Sequence, residues 1–155
     1  MKKKINFKEI SVHDTPGRSP GFLLWHISTS WRSSIDAILK PIGLTHPQFV
    51  VLASLGWLTR KGDRVTQAAI GKMAGLDPNT TSQIIRGLEH KNLIKREQSS
   101  DARAKNPILT DKGSEILKIA LPAVEVVDAQ FFNSLATKEM RHMVQIFQKL
   151  TPQTN

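Results

Sequence analysis

Two helix starts lie eleven residues apart, at Thr66 and Asp77, with Gly75 between them, and no other feature constrains the fold of this chain as tightly. Thr66 can accept a hydrogen bond from a first-turn amide and begin a helix, and Gly75 can supply the left-handed residue that ends it. Asp77-Pro78 restarts the chain at once. Asp77 caps, and Pro78 takes the first helical position, where a missing amide hydrogen costs nothing. A short helix, a tight turn and a second helix over about 78–91 satisfy this punctuation. In the first helix Ala69, Ile70, Met73 and Ala74 form the expected inward face, and the small residues Ala68, Gly71 and Ala74 permit close approach of a neighbour.

The second helix has two faces. Thr81, Ile84, Ile85 and Leu88 recur at i, i+3, i+4 and i+7 and must pack inward. The opposite stripe holds Asn79, Ser82, Gln83, Arg86 and His90, with Thr80 beside it near the helix start, and it contains no acidic residue. Asn and Gln can bond adenine edges in pairs, Arg can grip guanine, and Ser or Thr hydroxyls serve bases or phosphates. A solvated helix face is the plain alternative for such a stripe taken alone. The adjoining residues favour the groove: Asn92 stands where a left-handed terminator is wanted, and strands over Leu93–Gln98 and Pro107–Leu109 should pair across the loop Ser99–Lys105. That loop places Arg103 and Lys105 at the tip of a projecting ribbon, with Asp101 able to orient Arg103, and an Arg there suits a narrow, electronegative minor groove. Residues 66–105 thus follow a winged helix-turn-helix plan. The fold class is mainly α (α+β), with a two-stranded β wing.

Helices flank this unit. Leu24, Ile27, Trp31, Ile35 and Ile38 give an amphipathic helix over Phe22–Leu39 that Pro41 and Gly43 stop. Thr45-His46-Pro47-Gln48 has the form of a capping box and begins a helix over about 46–58 that is apolar nearly all round, the mark of a central element. Thr110-Asp111 begins a long helix carrying Ile116, Leu117, Ile119, Ala120, Val124 and Val127, with a bend expected at Pro122, and a last helix covers about 138–150. Residues 1–20 read as a basic, flexible leader, extended and partly mobile. Residues 21–150 read as one domain, with a winged-helix lobe at 45–110 and dimerisation helices at 21–40 and 111–150.

The balance of 22 Lys and Arg against 13 Asp and Glu gives a formal charge of +9, which favours a polyanionic partner such as double-stranded DNA through counterion release. The absence of cysteine removes disulfides, thiolate metal sites and thiol redox chemistry. Five scattered histidines have no metal-ligand spacing, so no metal or other cofactor is expected. No phosphate loop, nucleophile elbow or paired-carboxylate motif is present, which argues against an enzyme. The longest strongly apolar run, Phe49 to Leu58, is about ten residues against the roughly 20 that span a bilayer. A cytoplasmic protein with no membrane partner is expected.

Four segments occur in order: Gly43-Leu-Thr-His-Pro-Gln-Phe-Val-Val-Leu52, Leu88-Glu-His-Lys-Asn-Leu-Ile-Lys-Arg96, Asp101-Ala-Arg103 and Leu109-Thr-Asp-Lys-Gly113. This succession resembles the MarR family of transcriptional regulators over about residues 21–150. The resemblance implies a homodimeric repressor on a palindromic operator. By position Thr80, Ser82, Gln83 and Arg86 would make recognition-helix contacts and Arg103 would enter the minor groove; Asn79 of the same stripe and Lys105 of the loop join them as candidate DNA contacts. Ala102 and Asn92 depart from the commoner Arg and Gly, the first weakening the wing by one charge. The resemblance also implies release of DNA by a small aromatic or phenolic effector. For such a ring and its carboxylate, Trp25, His26, Trp31, Arg32 and Trp57 are candidates, although a Trp in an apolar stripe more often fills volume. A winged-helix protein-interaction module and a sequence-indifferent DNA-coating protein are the competing readings.

Overall fold

The computed structural model describes residues 4–98 and 105–151. After a short helical turn, α1 (Phe7–Ile10), come α2 (Pro20–Leu39), α3 (His46–Thr59), α4 (Gln67–Ala74), α5 (Pro78–His90), strands β1 (Ile94–Gln98) and β2 (Lys105–Leu109), α6 (Asp111–Phe131) and α7 (Thr137–Leu150). The strands pair antiparallel with Ile94 opposite Leu109 and Gln98 opposite Lys105.

The capping residues set these boundaries. Ser19 accepts from the Phe22 amide and Pro20 follows at the first position of α2, so this helix begins two residues before the expected start at Phe22. Thr45 and Gln48 form the reciprocal box at the start of α3, with both bonds at 3.3 Å. Thr66, Asp77 and Thr110 accept from the amides of Ala69, Thr80 and Gly113. At the end of α5, Asn92 takes a positive φ of 57°, and the Leu93 amide donates back to the Leu88 carbonyl at 2.9 Å, which satisfies a last-turn acceptor. α6 runs through Pro122 without interruption. Pro122 and Lys118 are both exposed, so the Lys118 carbonyl, deprived of its usual amide donor, is open to water.

α3 is the hub. It packs against α2, α4, α5, α6 and β2, and Val51, Leu52 and Leu55 on it are fully buried. Around it the core continues through Ile35 and Leu39 of α2, Ile70 of α4, Ile85 and Leu88 of α5, and Ala120 and Val124 of α6. Several positions of the expected apolar faces differ: Leu24 and Ile27 of α2, Met73 of α4 and Ile119 of α6 are 46 to 59% exposed, and on α4 the close contact with α5 is made by Gly71 instead of Met73. A Cβ on Gly71 would lie 2.6 Å from Thr81 Oγ1, so the two helices meet too closely there for a long side chain. The leader also differs from an extended chain, because the Asn6 side chain accepts from the Lys8 amide and donates to Glu9, closing the single turn of α1.

The start of α6 is pressed against the start of the wing. Thr110 Oγ1 donates to the Asn92 carbonyl at 2.7 Å, and a Cβ on Gly113 would stand 2.0 Å from the Leu93 carbonyl oxygen. Backbone cannot yield as a flexible side chain does. Gly113→Ala is therefore expected to cost about 2 to 4 kcal/mol in urea unfolding at fixed protein concentration. Gly21→Ala, where nothing lies within 4 Å, should cost nothing measurable. Equal stability of both variants would refute the close approach.

Candidate nucleic-acid interface

α5 is held from within and polar without. Thr81, Ile85 and Leu88 are buried, and Ile84 is half-buried. Thr81 Oγ1 donates to the Asp77 carbonyl at 2.8 Å. At the far end, Lys91 Nζ donates to the Gly43 carbonyl and to Gln48 Oε1, each at 2.7 Å, which ties the end of α5 to the start of α3. These contacts fix the rotation of the helix about its own axis, and with it the direction of the outer stripe.

On that stripe Asn79, Gln83, Arg86 and His90 are placed opposite the core, with Asn79, Gln83 and Arg86 reaching solvent along its length and Thr80 and Ser82 beside them. The Asp77 carboxylate accepts from both the amide and the hydroxyl of Thr80. These bonds hold the Asp77 carboxyl below its ordinary range, the side-chain bond being the larger cause. With its proton given to Asp77, the Thr80 hydroxyl offers only lone pairs outward. It can accept from a base amino group but has no proton for a phosphate oxygen. Among the described residues, Arg86 donates through Nε to the Ser82 carbonyl at 3.4 Å. The stripe therefore presents amides, hydroxyls and a guanidinium on a rigid rod about as wide as a major groove.

The wing is braced to the same helix by Arg96 Nε and Glu89 Oε1 at 2.7 Å, a pair that sequence spacing did not single out. Asn106 and Pro107 of β2 are both buried. Lys105 begins β2 opposite Gln98. Asp101, Ala102 and Arg103 lie outside the described residues.

The pattern of the MarR family matches residues 44–105, which run from Leu44 through α3, α4 and α5 into the wing. An HTH-type transcriptional regulator of Bacillus subtilis, YdcH, is 37% identical over 125 residues, covering 80% of this chain and 85% of that protein. The chain belongs to the MarR family. The HTH-type transcriptional repressor Rv2887 of Mycobacterium tuberculosis is 28% identical over 131 residues, 84% of this chain and 91% of that one. Its structure in complex with DNA superposes with a TM-score of 0.65 at 25% identity, covering 86% and 98% of the two chains. CouR of Rhodococcus jostii RHA1, solved with p-coumaroyl-CoA, gives a TM-score of 0.81 at 22% identity over 92% and 99%, which establishes the winged-helix fold. This MarR-family chain is accordingly a helix-turn-helix transcriptional regulator.

The aromatic residues considered for an effector do not converge. Trp25 is 67% exposed; His26 is also exposed and meets the edge of Phe22. Trp57 is 56% exposed and lies under the Arg60 guanidinium at 3.8 Å. Arg32 is exposed. Trp31 does reach across the molecule. Its Nε1 donates to Asp128 Oδ1 of α6 at 2.7 Å, and its ring meets that of His46, in the first turn of α3, edge to face with centroids 5.0 Å apart. This trio joins the DNA-binding lobe to the long helices. It was hidden in the sequence because Trp31 and Asp128 are 97 residues apart.

His46 is only 8% exposed. Burial holds its imidazole below the ordinary value of 6.5, Arg32 acts in the same direction, and the carboxylates of Asp36 and Asp128 oppose them without prevailing. The amino end of α3 adds a further penalty on a positive charge. The unfolded chain then takes up the proton more readily than the folded one. The stability due to neutral His46 is complete above pH 6.5 and is lost as pH falls through the lower folded value. Relative to a His46→Gln variant, the wild type should lose extra stability as pH falls below 6.5, with a slope of at most about 1.4 kcal/mol per pH unit. Urea unfolding across that range checks this, and parallel curves would refute it.

Proposed function

We propose that this regulator is a sequence-specific repressor that binds a palindromic operator as a homodimer. The outer stripe of α5 is the observation that carries the reading. Its inner face packs on the core, and among the described residues the exposed side-chain amides of Asn79 and Gln83 take no part in that packing. Asn79, Thr80, Ser82, Gln83 and Arg86 are assigned to bases and nearby phosphates, Arg103 to the minor groove, and Lys105 to phosphate beside it. The Rv2887 complex with DNA supports this assignment.

The long helices support dimerisation. α7 contains no buried residue, yet Val144, Ile146, Phe147 and Leu150 lie on it. Phe22, Leu23 and Trp25 on the first turns of α2 are 42 to 67% exposed. A surface this apolar is characteristic of an interface, and a second copy supplies the self-complementary partner of a two-fold dimer. Two α5 helices would then address half-sites about 34 to 36 Å apart, one turn of DNA. Such a protein works in the cytoplasm and needs no catalytic chemistry. Rv2887 has also been solved with salicylic acid, which supports control by a small aromatic effector.

The test is binding to the protein's own promoter region and to random duplex at physiological salt. Gln83→Ala and Arg86→Ala should each lose about 1 to 3 kcal/mol on the operator and much less on random DNA. Arg103→Ala should lose most where the operator flanks are A·T-rich. Equal losses on operator and random DNA would indicate coating without base readout. Failure of the wild type to bind either duplex would favour a protein-interaction module.

A further inference from the structure

We propose that Asp77 makes the start of α5 an acceptor-only reader, so that Thr80 selects an exocyclic amino group, that of adenine or of cytosine, at the base pair it faces. As the cap of α5, Asp77 has a structural task that would be reason enough for its presence. It does more than cap. Its carboxylate accepts from the Thr80 amide at 2.9 Å and from the Thr80 hydroxyl at 2.5 Å. An ionised carboxylate has no proton to give, so the proton in the second bond belongs to Thr80 and points at Asp77.

The direction of that proton decides what the helix end can meet. A free threonine hydroxyl is ambiguous: it can donate to a phosphate, to a guanine or to thymine O4, or accept from an amino group. Committed to Asp77, the hydroxyl keeps its lone pairs alone, and donating to a charged acceptor strengthens them. The carboxylate beside it is likewise an acceptor. Among the polar groups on base edges in the major groove, the amino groups of adenine and cytosine are the donors. The acceptors O6, O4 and N7 would meet lone pair against lone pair.

Phosphate is disfavoured at the same place. First-turn amides ordinarily attract anions, but the Thr80 amide is spent on Asp77. Asp77 is exposed and Thr80 half-buried, so a phosphate approaching this end meets a carboxylate of its own sign. The rest of the stripe is less selective, since Asn79 and Gln83 carry both donors and acceptors. This selectivity rests on the base reading by α5 proposed above, and it names the edge that the first turn takes.

The experiment selects preferred duplexes from a randomised pool with the full-length wild type, Thr80→Val, Thr80→Ser and Asp77→Asn, then measures affinities on the selected sites. Valine keeps the shape and methyl groups and removes the hydroxyl, and asparagine caps a helix as well as aspartate does. Thr80→Val should lose the preference at the base pair that Thr80 faces, and Thr80→Ser should keep it. Replacing adenine there by purine, or cytosine by 2-pyrimidinone, removes the amino group. It should weaken the wild type about tenfold more than it weakens Thr80→Val. A 7-deazapurine, which lacks the N7 acceptor, should affect the two proteins alike. In Asp77→Asn the new amide nitrogen can donate to Thr80 Oγ1 and turn the hydroxyl proton outward. That variant should lose the amino preference at the same pair and bind random duplex about threefold more tightly, with one negative charge removed. A Thr80→Val site profile equal to that of the wild type, a lost contact that tracks N7 instead of the amino group, or an Asp77→Asn variant with the wild-type preference would each overturn the proposal. A wild type that selects no sequence removes base reading itself and this selectivity with it. A wild type that selects an operator which these variants leave unchanged removes the selectivity alone.

Discussion

The fold depends on α3 being apolar on nearly every side. A helix with one apolar stripe can be satisfied by one neighbour, but this one must be enclosed, and the rest of the chain is arranged to do so. α2 and α6 cover it from the side of the long helices, α4 and α5 from the lobe, and β2 packs on a further side, leaving Trp57 exposed near its end. The direction of α5 is thus set indirectly. Its inner residues pack on α3, its end is tied through Lys91 to Gln48 of α3, and its start is locked by Asp77 and Thr81. The polar stripe points outward because each of these attachments removes a way for the helix to turn.

The same helix makes the lobe and the long helices energetically one unit. His46 at its first turn is buried against Trp31, and Trp31 is bonded to Asp128. Any change in the long helices that moves either side chain must be accommodated at the amino end of α3. A polar link of this kind is costly to leave half-made, since a buried donor or acceptor without its partner loses its hydration with no return. Such a junction has two acceptable arrangements, bonded or opened to water, and few between them.

The sequence disclosed local chemistry far better than long-range contacts. Thr45, Thr66, Asp77 and Thr110 each begin a helix as capping rules require, because a cap is decided by atoms within three residues. Asn92 likewise ends α5 with the positive φ its position implied. Met73 shows where period alone falls short. Helical spacing put it on the inward face, but the closeness of α4 to α5 at Gly71 and Thr81 rotates the contact toward the smaller residue. Trp31 was legible as an apolar stripe member, and nothing within a helical turn of it announced His46 or Asp128. The aromatic residues that sequence grouped for an effector are dispersed for the same reason: composition names candidate rings, and only tertiary packing assembles them.

The two ends of the molecule obey opposite physical demands, and this makes the division of labour intelligible. The lobe hides its apolar residues and leaves polar groups on α5 outside, as a surface meant for a hydrated, charged partner must. α7 does the reverse, with apolar side chains exposed and no residue buried. Alone it would be a marginal helix, since 14 residues without tertiary cover are near the length at which isolated helices are only partly formed in water. Whatever covers α7 therefore also orders it. In the proposed two-fold dimer that cover would come from the second chain, and the distance between two α5 stripes would be set by helices that acquire their own stability only on assembly. Operator spacing and helix order then become a single property, so a mutation that loosens α7 should blur the spacing preference before it weakens contact with any individual base.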